Sequence, residues 1–237
     1  MEFETKVTDI IKRTPGVKSF RFSAKEEAVF KPGQFFFVSI MTDEGERTKH
    51  FSFSNSPTEK GYVEFTKRIT DSTFSNALDR LRVGDRAKLK MPLGSFTFEG
   101  EYGKIAFLSG GIGITPVRSI CKFATDKGLL TDIMLLYGNN KEEDIIFRED
   151  FDDMKKLNKN FRAVYTLTSP DIDKKVWPGR TGYIDDIMVR EEIADYEDRV
   201  FYVCGPPGMV GNLTSILNDK LGVQRDRIKS ENFTGYK

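Results

Sequence analysis

The chain has 237 residues, with 37 Lys+Arg against 36 Asp+Glu and a formal net charge of +1; 38% of residues are hydrophobic and 31% charged. So small a net charge gives no electrostatic reason to expect nucleic acid or an anionic membrane as the main partner. Two cysteines, Cys121 and Cys204, and the single histidine, His50, exclude a four-thiolate iron–sulfur cluster within this chain and a disulfide scaffold, and all but exclude a Cys/His zinc site.

Residues 1–100 read as short strands separated by turns. Strands are expected at 3–12, 17–23, 34–41, 49–55, 61–68 and 86–91. Between them stand Pro15-Gly16, Lys31-Pro32-Gly33, Asp43-Glu44-Gly45 and Glu59-Lys60-Gly61. Short strands at this spacing suggest a barrel or sandwich. One helix fits 73–81, after Asp71-Ser72, and Gly84-Asp85 turns the chain into the next strand. The opening segment MEFETKVTDIIKRT is charged throughout, so no secretory leader is expected. No run approaches the ~18 apolar residues of a membrane span. With so few thiols, the composition fits a reducing cytoplasm.

The rhythm changes from Lys104. Ile105–Leu108 is a near-continuous apolar run, as in a strand buried on both faces. A helix over 116–127 and a strand over 131–137 follow. Then come a helix over 147–158, a strand over 161–167 and a helix over 185–194. A strand over 199–204, a helix over 207–221 and a strand near 227–230 complete the series. Strands alternating with helices predict a parallel sheet with right-handed crossovers. The domain boundary falls near Glu99–Gly103, giving domains 1–100 and 101–237.

Three segments carry chemistry. Ser109-Gly110-Gly111-Ile112-Gly113-Ile114-Thr115-Pro116 follows a buried strand and opens a helix. Its glycines let backbone approach a phosphate, Thr115 can cap the helix, and Pro116 suits the first helical position. The same residues also describe an ordinary glycine-rich turn. Cys204-Gly205-Pro206-Pro207-Gly208-Met209 ends another strand and starts another helix, on the same carboxyl edge of the sheet, where open α/β sheets bind ligands. Cys204 by itself reads as a small buried hydrophobe more readily than as a reactive thiol. Lys49-His50-Phe51-Ser52-Phe53-Ser54 sets aromatic rings beside hydroxyls. It could stack on a planar ring and hydrogen-bond its edge, or be a half-buried strand.

Taken together and in this order, the motifs resemble those of the ferredoxin–NAD(P)H reductase superfamily of flavoproteins, over essentially the whole chain. The family's Arg-x-Tyr-Ser appears as Lys49-His50-Phe51-Ser52, and Gly-Pro-x-Gly-x-Phe as Met91-Pro92-Leu93-Gly94-Ser95-Phe96. Gly-Gly-x-Gly-x-Thr-Pro is met by Gly110 to Pro116, Cys-Gly-Pro-Pro-x-Met by Cys204 to Met209, and the Glu-x-Phe close by Glu231-Asn232-Phe233.

The resemblance implies an N-terminal antiparallel flavin-binding β-barrel and a C-terminal doubly wound α/β domain for the nicotinamide nucleotide. Phe51 would pack beside the flavin ring and Ser52 near its reactive nitrogen, with Lys49, His50, Phe53, Ser54 and Thr66 around them. The helix start at Ser72, Thr73, Phe74 and Ser75, with Lys67 or Arg68, would hold the flavin diphosphate. Gly110, Gly111, Gly113, Thr115 and Pro116 would serve the dinucleotide. Cys204, Gly205, Pro206 and Met209 would lie by the nicotinamide. Phe233, with Tyr236 as substitute, would cover the flavin, and Ser52 and Glu231 would handle protons. FAD is implied over FMN.

The resemblance also implies hydride transfer from NADH or NADPH to the flavin. Electrons then pass to a separate ferredoxin, another redox partner or a small acceptor. The alternative is a flavin or nucleotide subunit, for electron transfer or sensing, that does not turn over alone. Glu142, Glu143 and Asp144 after the 131–137 strand favour NADH, while Lys141 and Arg148 argue the other way. Lysine at 49 loses an arginine fork and phenylalanine at 51 loses a hydroxyl, departures that bear on how tightly the flavin is held.

Overall fold

The computed structural model describes residues 1–233, and Tyr236 lies outside the described residues. Two six-stranded sheets, each formed within one half of the chain, make up its framework. The first contains β1 (Glu2–Thr14), β2 (Val17–Ser23), β3 (Phe35–Thr42), β4 (Gly45–Ser52), β5 (Tyr62–Arg68) and β6 (Arg86–Leu93), with α1 (Thr73–Arg80) between the last two. Its order is β4-β3-β6-β1-β2-β5, every pairing is antiparallel, and it curls into a half-barrel.

Alternation turns every second side chain inward, as along β6. Phenylalanine fills the interior. Phe53 stacks on Phe30 at 3.8 Å and on Phe36 at 4.4 Å, and Phe20 stacks on Phe65 at 5.2 Å. Many of the chain's 20 phenylalanines therefore serve the core first.

The second sheet contains β7 (Lys104–Gly110), β8 (Asp132–Asn139), β9 (Phe161–Leu167), β10 (Arg180–Thr181), β11 (Val200–Gly205) and β12 (Ile228–Asn232). Its order is β10-β9-β8-β7-β11-β12, all parallel. Ile105 and Phe107 face α2 (Ile114–Asp126) and α3 (Arg148–Leu157). Ala106 and Leu108 face α4 (Asp186–Glu192) and α5 (Pro207–Ser215). The sheet is thus doubly wound. Strand order reverses beside β7, where β8 lies on one side and β11 on the other, and crevices form at the carboxyl ends of such a switch point. At the opposite end Arg199, fully buried, donates to Asp195, to Asp132 and to the Ile105 and Asp132 carbonyls, tying three strand starts together.

Several boundaries differ from expectation. β4 begins at Gly45 and stops at Ser52, so 53–55 leaves the ladder. β10 has only two residues, too few for a periodic pattern. The expected helix over 207–221 changes at Ile216 to a π-helical turn. α2 begins at Ile114, so Pro116 is its third residue and Thr115 does not cap it. Gly111–Gly113 forms a 3₁₀ turn and Gly113 is already helical (φ −60°, ψ −8°), which removes the extended geometry a side-chain cap needs. No helix among the described residues is long and apolar enough to cross a membrane.

Candidate active site between the two sheets

Two cavities meet at the carboxyl edge of the parallel sheet, on either side of the Gly110–Thr115 loop. The barrel-side cavity, about 570 Å³, is walled by β4 from Arg47 to Ser52 and by Thr66 and Lys67 of β5. Thr70, Ser72, Thr73 and Phe74 close a third side, and Ile112, Thr115 and Glu231–Phe233 complete it. The sheet-edge cavity, about 520 Å³, is walled by Gly110, Gly111, Gly138, Asn139, Thr166, Thr168, Tyr183, Pro206 and Met209 among others.

In the barrel-side cavity Phe51 lies parallel to Phe65, with centroids 4.2 Å apart and planes 11° apart, and Phe74 supports it at 5.9 Å. Strand pairing between β4 and β3 brings Phe51 opposite Phe36, which anchors the wall to the barrel core. Burial lowers the Lys67 ammonium to about 8, and the charge of Lys49 adds to the effect; Lys67 Nζ also donates to the Arg68 carbonyl at 2.9 Å. Ser72 caps α1, its hydroxyl accepting from the Ser75 N–H at 3.3 Å, and the remaining N–H groups of the first turn stay available to a ligand.

Ser52, almost fully buried, donates to Glu231 Oε1 at 3.2 Å across 179 positions of sequence. β12 makes this contact by pairing Glu231 with Cys204, and the Phe233 N–H donates to the Gly205 carbonyl at 2.9 Å. Burial pushes the Glu231 carboxyl up to about 7, with the Ser52 hydrogen bond acting the other way. A carboxyl balanced near neutral pH can both hold and release a proton.

The glycine loop divides its work. Gly111 has φ +52°, and a Cβ there would meet no protein atom within 4 Å, so bare backbone stands at the sheet-edge cavity. A Cβ on Gly110 would lie 2.3 Å from Met209 Sδ. One on Gly113 would lie 2.6 Å from Gly205 Cα and 2.7 Å from the Cys204 carbonyl oxygen. Gly113 therefore seats one loop against the other, and Thr115 lines the barrel-side cavity while Gly110 and Gly111 line the sheet-edge one.

Other expected site residues are also redistributed. Phe53 is inside the barrel core, because the chain turns after Ser52. Ser54 is buried and donates to Glu64 at 2.7 Å. Ser75 is buried against Thr70 at 3.0 Å. Pro116 packs inside α2 and Gly205 behind Gly113. Cys204 is fully buried; its thiol donates to Ser109 Oγ at 3.6 Å and burial raises it well above its ordinary range, so it lines neither cavity. Lys49, His50, Phe51, Ser52, Thr66, Lys67, Ser72, Thr73, Phe74 and Phe233 all line the barrel-side cavity. Arg68 crosses to the sheet-edge cavity, 3.8 Å from Asp144. Lys141 and Arg148 line neither cavity.

Sequence reasoning passed over Thr166, Thr168 and Tyr183. Thr166 and Thr168 stand at the carboxyl end of β9 and Tyr183 just after β10, and the edge rule applied to β9 would have found the first two.

Known families match each half of the chain in turn. Residues 4–98 match the family described as "Oxidoreductase FAD-binding domain", and residues 107–214 match "Oxidoreductase NAD-binding domain". The chain is 31% identical over 216 residues to a subunit of the Na(+)-translocating NADH-quinone reductase of Pseudoalteromonas atlantica, an alignment covering 85% of this chain and 52% of the relative. It is 27% identical over 229 residues to a glycine betaine monooxygenase reductase subunit of Chromohalobacter salexigens, covering 94% and 62%. The chain thus spans about half to three fifths of the length of the curated relatives it matches.

Among solved structures, the cytochrome b5 reductase domain of Ulva prolifera nitrate reductase superposes with a TM-score of 0.83 at 23% identity, covering 98% of this chain and 97% of that one. A ferredoxin NADP+ reductase from Neisseria gonorrhoeae superposes at 0.81 and 21%, covering 98% of both. The two family models together span most of the chain, which therefore belongs to the oxidoreductases that join an FAD-binding domain to an NAD-binding domain, on the fold of the ferredoxin reductase-like structures.

Proposed function

We propose that the chain is an NAD(P)H-dependent flavin reductase that takes FAD in the barrel-side cavity and the nicotinamide nucleotide in the sheet-edge cavity. The observation that carries this is the single glycine loop with one cavity on each side, and the Ser52–Glu231 pair in the wall of the barrel-side one. Bound there, FAD would accept a two-electron hydride and release electrons singly.

The residues present fit that group. Phe51, backed by Phe65, offers an aromatic face for a flat ring. Lys49, Lys67 and the first turn of α1 offer charge and N–H groups to a diphosphate, which favours FAD over FMN. Ser52 Oγ and Glu231 Oε1 hold and pass a proton at the buried end. Gly111 lets the nucleotide backbone approach. Phe233 covers the remaining side of the cavity and must yield when nicotinamide enters.

Asp144, at the edge of the sheet-edge cavity, can accept from a ribose hydroxyl and repels a phosphate, which favours NADH; Arg68 beside it opposes that preference. The electron acceptor is a separate ferredoxin-like protein, another redox partner or a small acceptor, in keeping with relatives named as subunits of larger reductase and monooxygenase systems. A cytoplasmic location is part of the proposal and rests on the thiol-poor composition.

Anaerobic rapid mixing of flavin-loaded protein with NADH and with NADPH tests the reading. Bleaching of the flavin absorbance by NADH at the faster rate is expected. Bound flavin that neither nucleotide reduces would instead point to an electron-transfer or sensor subunit without turnover of its own.

A further inference from the structure

α2 joins the two cavities at its start and the two domains one turn later. Gly111, just before it, is in the wall of the sheet-edge cavity, and Thr115 is in the wall of the barrel-side cavity. Arg118 and Ser119 lie three and four residues beyond Thr115, on the same helical face. Neither lines a cavity. Both reach into the barrel domain.

Arg118 is 4% exposed and every arm of its guanidinium is used. Nη1 donates to Glu59 Oε2 at 2.5 Å and to the Ser54 carbonyl at 3.0 Å. Nη2 donates to Glu59 Oε1 at 3.1 Å and to Asp150 Oδ1 at 2.6 Å, and Nε donates to the same Asp150 oxygen at 3.1 Å. Ser119 Oγ donates to the Asn55 carbonyl at 2.7 Å. Glu59 is itself held by the Ser56 N–H at 2.7 Å and the Tyr62 hydroxyl at 3.1 Å. Ser54 and Asn55 continue the segment that carries Phe51 and Ser52, so the clamp grips the cavity wall from behind.

Phe147 adds a second contact. It takes φ +61°, a left-handed conformation that is sterically costly for a bulky residue. That cost places its ring beneath two guanidinium groups, Arg13 of the barrel at 4.9 Å and Arg118 at 5.6 Å. Domains within a chain move against each other unless their interface fixes them. Hydride transfer between groups held by different domains is sensitive to displacements of about 1 Å.

We infer that Arg118, through its fork on Glu59 and its hold on the Ser54 carbonyl, is a positioning residue that sets the spacing between the two cavities for hydride transfer. The inference rests on the flavin reductase reading and adds to it a part of the molecule that touches neither ligand.

The test measures geometry and rate separately. Cysteines introduced at the exposed positions Val83 in the barrel domain and Leu130 in the sheet domain carry spin labels, while the native Cys121 and Cys204 are fully buried and stay unlabelled. Pulsed electron resonance of flavin-free and flavin-loaded protein gives the distance distribution between the domains. One narrow distribution is expected for the parent protein. Arg118→Met should broaden it roughly twofold. Glu59→Gln keeps the side-chain volume and removes the charge, and Arg118→Lys keeps the charge and removes the fork. Both should fall in between, and both serve if the methionine variant does not fold.

At saturating NADH the rate of reduction per bound flavin should drop about tenfold in Arg118→Met, with flavin content and nucleotide Kd unchanged to within about twofold. A folded Glu59→Gln or Arg118→Lys protein with the parent distance distribution and parent rate per flavin would overturn the inference. So would a broadened distribution with no loss of rate. Parent protein whose bound flavin neither NADH nor NADPH reduces would overturn the functional reading itself, and the purpose assigned to the clamp with it.

Discussion

Gly111 and Gly113 stand two residues apart and answer to different forces. Gly111→Ala should strain the backbone by about 1–2 kcal/mol and put a methyl group at the cavity wall. The expected result is a raised nucleotide Kd with flavin retained, measured by titrating NADH into the flavin-loaded protein. Gly113→Val should instead push the loop off Gly205 and destabilise the fold by about 3 kcal/mol, seen as a lower Tm before any effect on binding. The motif was legible in the sequence. This division was not, because the atom Gly113 must avoid lies ninety-two positions away, at Gly205 (205 − 113).

Glu231 allows a pH prediction. Its folded-state carboxyl titrates near 7, above the ~4.3 of an unfolded chain, so the folded state binds the extra proton between those values. Flavin-free protein should therefore lose stability as pH rises through about 5 to 7, followed by thermal unfolding. In Glu231→Gln that slope should disappear.

At the level of elements, period and punctuation located most of the strands and helices. β7 and β11 are buried along nearly their whole length because helices cover both faces, and this produces the unbroken apolar runs. β10 was illegible because two residues have no period, and the start of α2 was displaced because a 3₁₀ turn leads into it. Arg199 gave no warning either, since an isolated arginine before a strand reads as surface. Its bonds to Asp195 and to Ile105 and Asp132 at two strand starts say otherwise. Arg199→Met should cost about 3 kcal/mol, read by denaturant unfolding, while leaving nucleotide affinity intact, because the clamp lies at the end of the sheet away from the site.

For the molecule as a whole, the order of two domains and the sheet edge that faces the site could be read from motif order. How the domains are joined could not. Arg118 meets Glu59 across 59 positions and Ser52 meets Glu231 across 179, and neither pair has a local pattern. β12 carries this long reach, bringing Phe233 from the second domain to a cavity built mostly by the first. Phe233→Ala should keep flavin bound but alter the rate of flavin reduction and the ratio of NADH to NADPH rates, measured under anaerobic rapid mixing. A variant equal to the parent in both would remove Phe233 from the site.

The backbone contact between Gly113 and Gly205 also bears on how such a reductase can be re-engineered. A loop transplanted from a relative to change nucleotide preference brings its own surface to a seam with no free volume. Transplanting the glycine loop after β7 alone, or the Cys-Gly-Pro-Pro loop after β11 alone, pairs two surfaces not shaped for each other. The two loops form one cassette and have to be exchanged together.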